Sequence, residues 1–246
     1  MVASISEIAK KLFEQRVNYL LTALIESVVV RFPNPQHPTK TDNAKLARLN
    51  KPLKSLLIQA ENDLGDVSEM LQGTLGGLGI KTAQEATSAL QGRLAVVAEA
   101  VQTGEEFANA VRHLVAKHKP DLVWLDPLLS FIGDDISKQD VCSYFLRNLL
   151  NPIADETGVI WMIMHHTPKP SSDPKSKSGW NSTDHSYAGT GSSELTNWAR
   201  AVTILRSTKN DGEFDLMLAK RGERARATSL DGSRTKLLRL KHAEDS

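Results

Sequence analysis

The sequence predicts an α/β fold built on a mostly parallel sheet flanked by helices. Three short runs of residues are apolar throughout, and stretches with helical periodicity separate them. Strands covered by helices on both faces have this composition. Each run also ends abruptly at polar residues, so the sequence predicts functional residues at the carboxyl ends of the strands.

The N-terminal part, residues 1–52, is predicted to be a helical segment followed by a connector. Residues 4–30 have the pattern of an amphipathic helix. The apolar positions that repeat every three to five residues are Ile5, Ile8, Leu12, Val17, Leu20, Leu24 and Val28. Residues 31–38 contain three prolines, which cannot continue a helix, and this predicts the connector.

The first strand is predicted at residues 55–59, and it runs into an acidic loop that contains Glu61, Asn62 and Asp63. Residues 64–117 are predicted to be mainly helical, with an interruption at the glycine-rich stretch 73–79. A final helix of this part covers about 104–118. The glycine-rich stretch is interpreted as a turn that ends a helix.

The second strand is predicted at residues 122–125, where Asp126 and Pro127 stop it, and the third at 159–164. A helix near 138–156 lies between them. Further strands are predicted at 202–205 and 214–218, and residues 235–240 are predicted to form an edge or terminal strand. Residues 168–187 are nearly free of apolar side chains, which is typical of a functional loop or of disorder.

Composition favours an ordinary soluble protein of the cytoplasm. The chain has 246 residues, of which 40% are hydrophobic and 24% charged, and its formal net charge is +1. This balance draws the protein toward neither nucleic acid nor membrane, so any basic surface must be local. The single cysteine, Cys142, excludes an internal disulfide and is predicted to be a buried core residue. No stretch is long and apolar enough to span a membrane.

Polar residues at three strand ends would converge on one crevice of an open sheet. Asp126 follows four apolar residues, a pattern in which a carboxylate holds the water shell of a magnesium ion on nucleotide phosphates. Glu61 is the candidate general base that would activate the attacking water. Alternatively Glu61, or Asp63 in its place, caps the next helix. His165 and His166 lack a third ligand at zinc spacing, so they are interpreted as a γ-phosphate sensor or as a plain hydrogen-bonded loop pair.

An ordered series of motifs gives the chain its resemblance to a known family. The series is LIQAEND at 57–63 with Gly65 and Asp66, PDLVWLDP at 120–127, MHHTPK at 164–169 and GSSELTNWARAV at 191–202. In this order it resembles the RepA-type hexameric replicative helicases and related plasmid and phage ATPases, over about residues 53–227. The resemblance implies a RecA-like P-loop NTPase core over residues 53–246, with ATP and magnesium as cofactors.

The resemblance also implies roles for single residues. Glu61 is similar to the catalytic glutamate, Asp126 to the Walker B aspartate, and His165 and His166 to paired histidines that couple the γ-phosphate to a DNA-facing loop. Arg200 is similar to an arginine finger that reaches the neighbouring subunit's nucleotide. Two further sets are implied: nucleotide contacts from Lys220 and Arg221, and contacts to single-stranded DNA from Lys169, Lys175 and Lys177 in a channel loop at 168–187.

The chain departs from the family at the nucleotide-gripping loop. A P-loop needs glycines followed by Gly-Lys-Ser/Thr, yet residues 1–52 contain no glycine. In the nearest similar stretch, residues 73–82, Ile80 stands where a glycine must precede Lys81. We therefore expect either an ATP-driven DNA helicase that forms a homo-oligomeric ring in mobile-element replication, or an inactive or truncated homologue that binds DNA or joins an assembly. A recombination or regulatory ATPase on the same fold is a third alternative.

Overall fold

The computed structural model describes residues 31–34, 37–43, 53–99, 101–166, 193–229 and 231–241. The predicted helix over 4–30 and the predicted loop over 168–187, with its three lysines, lie outside these residues. The described residues belong to two compact units. The first holds residues 53–136 and 143–165, and the second holds the remaining described residues. The predicted domain boundary between residues 52 and 53 stays a prediction.

A four-stranded parallel sheet forms the centre of the first unit. Its strands are β3 (Ser55–Gln59), β4 (Leu94–Ala98), β5 (Leu122–Asp126) and β6 (Ile160–Ile163), in the spatial order β4-β3-β5-β6. All neighbouring pairs are parallel, and the register aligns Ser55 with Leu122 and Leu122 with Ile160. The predicted α/β class with a parallel sheet is thereby confirmed, together with its three apolar strands.

Residues 64–117 are mainly helical, as predicted, but they also contain strand β4, which the sequence analysis missed. Its sequence, Leu-Ala-Val-Val-Ala, contains two β-branched valines, which pack well on a pleated sheet. Val96 and Val97 are both buried against the rest of the unit. The run is short and lies between helices, so helical periodicity on either side conceals it in the sequence.

Helices connect the strands. They are α1 (Leu64–Gly77), α2 (Ala83–Leu90), α3 (Gly104–His118), α4 (Leu129–Ile132), α5 (Gln139–Ser143), a π-helical segment (Tyr144–Leu150) and α6 (Asn151–Thr157). Helix α3 covers the residues predicted for it. Helix α1 ends at Gly77, and Gly79 has a positive φ of 76°, which confirms the glycine-rich stretch as a helix end.

Two layers of apolar side chains hold the helices on the sheet. On one face, Leu57 and Trp124 join a buried cluster with Leu71 and Leu75 of α1 and Leu90 of α2. The alternate strand residues point to the opposite face. On that side Phe107 stacks on Phe131 at a ring-centroid distance of 4.3 Å and on Phe145 at 6.2 Å.

The second unit contains a three-stranded antiparallel sheet. Strands β7 (Val202–Ser207), β8 (Glu213–Lys220) and β9 (Leu237–Lys241) lie in that order, and α7 (Glu194–Trp198) precedes them. A 3-10 turn at Gly222–Ala225 follows β8. The predicted strands are confirmed, and β9 is an edge strand as expected.

The predicted connector over residues 31–38 is wrong. Arg31–Asn34 and His37–Asn43 form antiparallel strands β1 and β2, and Pro33 pairs with Thr41. Proline lacks the amide hydrogen that an interior strand must donate, but in a two-stranded sheet every strand has one open edge. Pro33 and Pro38 are therefore compatible with the paired strands.

Two further sequence predictions concern single features. Cys142 is fully buried, which confirms its assignment to the core. Within the described ranges, no helix has the length and apolar character needed to cross a membrane.

Candidate functional site

The carboxyl ends of β3 and β5 bring two predicted site regions together. Gln59 and Asp126 are direct register partners at the last positions of these strands. The Gln59 side chain is 1% exposed and donates from Nε2 to Asp126 Oδ2 over 3.0 Å. The peptide bond from Asp126 to Pro127 is cis. Asp126 thus lies at the edge of the sheet, half-buried, with one carboxylate oxygen held by a buried amide.

Gln59 also holds the loop that carries Glu61. Its side-chain Oε1 accepts hydrogen bonds from the backbone N–H groups of Ala60, at 2.9 Å, and Glu61, at 3.3 Å. The Ala60 N–H also donates to the backbone carbonyl of Asp126 over 3.0 Å. A single buried side chain therefore joins the Asp126 carboxylate to the loop that carries the Glu61 carboxylate, which is exposed to solvent.

Asp63 is the residue that caps helix α1. Its Oδ1 accepts from the N–H groups of Gly65, at 2.6 Å, and Asp66, at 2.9 Å, and Asp66 Oδ2 accepts in return from the Asp63 N–H. This reciprocal arrangement is a capping box. A Cβ on residue 65 would lie 2.9 Å from Asp63 Oδ1, so glycine leaves room for the cap. Of the two alternatives for the acidic loop, helix capping belongs to Asp63.

His165 follows β6 and lies at the same edge of the sheet as Asp126. Backbone hydrogen bonds fix its neighbour Met164, whose N–H donates to Leu125 over 2.9 Å and whose carbonyl accepts from Leu128 over 3.0 Å. His165 is half-buried. His166 is exposed and belongs to the second unit. The first unit therefore brings Glu61, Asp126 and His165 to one edge.

Sequence reasoning missed two side chains at this edge. In the sequence, Gln59 is only the polar last residue of a predicted strand. This pattern is too common to indicate that Gln59 joins the ends of two strands. Glu99 follows β4, the strand that the sequence did not reveal. Its Oε1 accepts from the N–H groups of Val101, at 2.9 Å, and Gln102, at 3.1 Å, so Glu99 orders the turn before α3.

In the second unit, Arg200, Lys220 and Arg221 form a cluster of positive charge. Burial lowers the pKa of the Lys220 ammonium, and the charges of Arg221 and Arg200 lower that pKa further. Arg200 and Arg221 are both exposed. Three basic residues that the sequence predicts for nucleotide contacts are thus within electrostatic reach of one another.

The Lys220 ammonium is also the C-terminal cap of helix α7. Its Nζ donates to the backbone carbonyls of Thr196, Asn197 and Ala199, at 2.5, 3.2 and 2.7 Å. A lysine ammonium has three N–H groups. Because carbonyls of α7 occupy these donors, Arg200 and Arg221 are the cations of this cluster that are better placed to meet a ligand.

The residues at the sheet edge fit magnesium held through water. No group of three His, Cys, Asp or Glu side chains with metal-binding geometry occurs in the part of the chain that the structure describes. Magnesium keeps several of its waters and commonly uses one or two carboxylates together with phosphate oxygens. Asp126, placed where strand ends bind ligands, suits that role.

Two solved structures are similar to that of this chain. No protein-family model matches the chain, and no curated protein matches its sequence. A KaiC-like protein from the archaeon Pyrococcus horikoshii OT3 is similar in structure, with 13% identity and a TM-score of 0.42 over 69% of this chain and 65% of that protein. The RadB recombinase is similar with 13% identity and a TM-score of 0.46, over 78% of this chain and 76% of its own.

This chain thus spans less than two thirds of the first of these proteins. The α/β class rests on the strand order and register described above.

Proposed function

We propose that this protein is a RecA-like ATPase of the replicative DNA helicase type, which couples ATP hydrolysis to movement along single-stranded DNA. The observation that carries the proposal is the pair of carboxylate-bearing strand ends, Glu61 after β3 and Asp126 on β5, joined through Gln59. Open parallel sheets bind ligands at this edge. The two carboxylates have the roles that phosphoryl transfer to water requires.

In this proposal each residue acts through its position. Asp126 holds the water shell of a magnesium ion, which would neutralise phosphate charge when bound. Glu61, on the solvent-exposed loop, orients the attacking water and accepts its proton. His165 and His166 report the state of the γ-phosphate. Gln59 keeps the two carboxylates in register, because its amide contacts both strand ends.

The basic residues of the second unit extend the proposal to an assembly. Arg200 would act on the nucleotide of a neighbouring copy in a homo-oligomeric ring, where its charge stabilises the transition state. Arg221 would assist it, and Lys220 would hold α7, which ends two residues before Arg200. Lys169, Lys175 and Lys177 would contact the DNA backbone. We infer from the resemblance of the sequence that this activity would serve the replication of a mobile element.

A second function is favoured by one specific observation. Residues 1–52 contain no glycine, so they cannot form the glycine-rich loop that cradles phosphates in this class. Without such a loop the protein would serve as an inactive subunit that binds DNA or joins an assembly.

Nucleotide binding tests the proposal. We would titrate the full chain with a fluorescent ATP analogue, with and without magnesium, and compare Asp126→Asn with the parent. Asparagine retains an oxygen that accepts from Gln59 but removes the charge. We expect micromolar binding that magnesium strengthens in the parent, and a roughly tenfold loss of the magnesium-dependent part in the variant, about 1.4 kcal/mol.

The matched control is Asp155→Asn, an exposed carboxylate in α6 whose replacement should leave binding unchanged. Glu61→Gln should retain binding and lose hydrolysis, measured as phosphate release. If the parent chain fails to bind nucleotide up to millimolar concentration, the ATPase proposal is wrong and the second function is favoured.

A further inference from the structure

Strand β6 exposes apolar side chains that a parallel sheet normally buries. It is the outermost strand of the order β4-β3-β5-β6. Ile160 is 55% exposed and Met162 is 39% exposed, whereas Leu57 and Trp124, on the same face of the inner strands, are 7% and 6% exposed. Exposed apolar pairs on a sheet face indicate a surface that another element covers.

The register assigns these two side chains to a definite face. Met162 is the partner of Trp124, which is the partner of Leu57. These residues share the face that α1 and α2 cover over β3, β4 and β5. The neighbouring Leu122 and Met164 pack against the same cluster but are only half-buried. The apolar layer therefore continues onto β6 while its cover stops before that strand.

The opposite face of β6 has its cover in place. Trp161, which alternates with Ile160 and Met162, donates from Nε1 to the Leu150 carbonyl over 3.1 Å at the end of the π-helical segment. On the face that carries Ile160 and Met162, the buried Trp124 Nε1 has no hydrogen-bond acceptor among the described residues. An element that covers Ile160 and Met162 would lie beside this indole.

We propose that the amphipathic stretch of residues 4–30 of the same chain covers this face. Its apolar stripe requires an apolar partner surface, since an amphipathic helix gains its stability mainly by packing that stripe. Four strand residues span about 13 Å, and three helical turns span about 16 Å, so part of the stretch suffices. Strands β1 and β2 are paired, with Arg31 opposite Asn43, so the reach comes from the 11 residues between Asn43 and Ser55. These can extend to about 36 Å, which exceeds the distance across the two strand spacings from β3 to β6, about 10 Å.

The choice of this occupant over a second copy rests on connectivity and charge pattern. A tethered segment is held at millimolar effective concentration, well above that of a separate chain. Polar residues separate the apolar positions of the stretch, among them Glu14 and Glu26, which would face solvent. The inference does not depend on the proposed function.

Cross-linking in the full chain tests the proposal. In a Cys142→Ala background, Met162→Cys is paired with Leu12→Cys or with Leu24→Cys and treated with a short bismaleimide. The matched controls are Glu14→Cys and Glu26→Cys, each two residues further along and so on the far side of a helix. We expect at least one stripe position to form an intramolecular link roughly tenfold faster than its control.

Three outcomes would overturn the proposal. Links that join two chains would assign the face to a second copy. The second outcome is that the stripe positions form links to Leu205→Cys, an exposed position of β7, and not to Met162→Cys. Such links would assign the segment to the antiparallel sheet of the second unit. Equal rates for stripe and control positions would show that the segment does not dock.

A second measurement does not require a cross-linking reagent. Maleimide labelling of the single cysteine in Met162→Cys, again without Cys142, should speed up several-fold when Leu12→Glu and Leu24→Glu are added. The labelling rate should stay constant when one negative charge is added at a polar position of the same stretch by Asn18→Glu. Unchanged labelling in the leucine variant would contradict docking even if those leucine changes alter the segment's own helicity.

Discussion

Two carboxylates separated by one residue have different tasks in the acidic loop after β3. Asp63 satisfies backbone N–H groups at the start of α1, while Glu61 is exposed to solvent in the loop that Gln59 holds. An unsatisfied amide at a helix start lowers stability, whereas replacement of an exposed side chain rarely does. Stability and catalysis can therefore be separated by substitution at these two positions.

Asp63→Ala should lower the free energy of unfolding by about 1 kcal/mol, because it removes the acceptor for two N–H groups. Urea denaturation followed by circular dichroism measures this. Asp63→Asn should recover most of the loss, since its side-chain oxygen still accepts. Glu61→Ala should change the free energy of unfolding by less than about 0.5 kcal/mol. Equal losses at both positions would contradict the division of tasks.

At the scale of elements, the contact between β8 and α7 decides where Arg200 lies. Helix α7 has only five residues, too few to be stable alone, and Lys220 at the end of β8 binds its last carbonyls. Arg200 lies two residues beyond this helix end. Lys220, whose ammonium donates three hydrogen bonds, is therefore a positioning residue for Arg200.

Lys220→Met should lower the free energy of unfolding by about 1–2 kcal/mol, because three carbonyls lose a charged donor while the apolar stem is kept. Arg221→Met is the matched control and should change it by less than about 0.5 kcal/mol. Thermal or urea unfolding checks both. If Lys220→Met left the free energy of unfolding unchanged, water would replace the ammonium at no cost in stability.

The sequence predicted those elements whose signal is local. Residues 55–59, 104–118 and 122–125 were located because each has one consistent periodicity bounded by polar residues or by proline. Strand β4 was missed because five apolar residues between helices fit the period of a helix as well as that of a strand. The β1–β2 hairpin was missed because prolines argue against strands unless an open edge is available.

The candidate site was predictable in its positions but not in its contacts. Asp126, Glu61 and His165 follow apolar runs, and parallel strands bring their ends to one edge. The bridge through Gln59 depends on the register between two strands that are 67 residues apart, which no local pattern encodes. The same holds for Lys220, whose carbonyl partners precede it by 21 to 24 residues.

At the scale of the whole molecule, a net charge of +1 means that the proposed DNA binding would have to come from a local basic segment. We expect Lys169→Ala, Lys175→Ala and Lys177→Ala together to reduce the dependence of single-stranded DNA affinity on salt. The slope of log affinity against log salt should fall by about 2, at roughly 0.7 for each lost phosphate contact. Fluorescence anisotropy of a labelled oligothymidylate across a salt series measures it.

The control for that series removes the same charge elsewhere. Lys81, Lys117 and Lys209 are exposed, and their joint replacement by alanine should leave the slope nearly unchanged. If both triple variants lower the slope equally, binding follows overall charge and not the segment over 168–187.

The complete burial of Cys142 has a practical consequence. A thiol with no access to solvent reacts with an aromatic disulfide reagent only in the fraction of molecules whose surrounding structure has opened. Because the chain has no second cysteine, every reaction event reports that one location. The parent protein therefore carries a built-in reporter of local opening, whose rate, compared with that of a free thiol, gives the equilibrium for exposing this part of the core without any label.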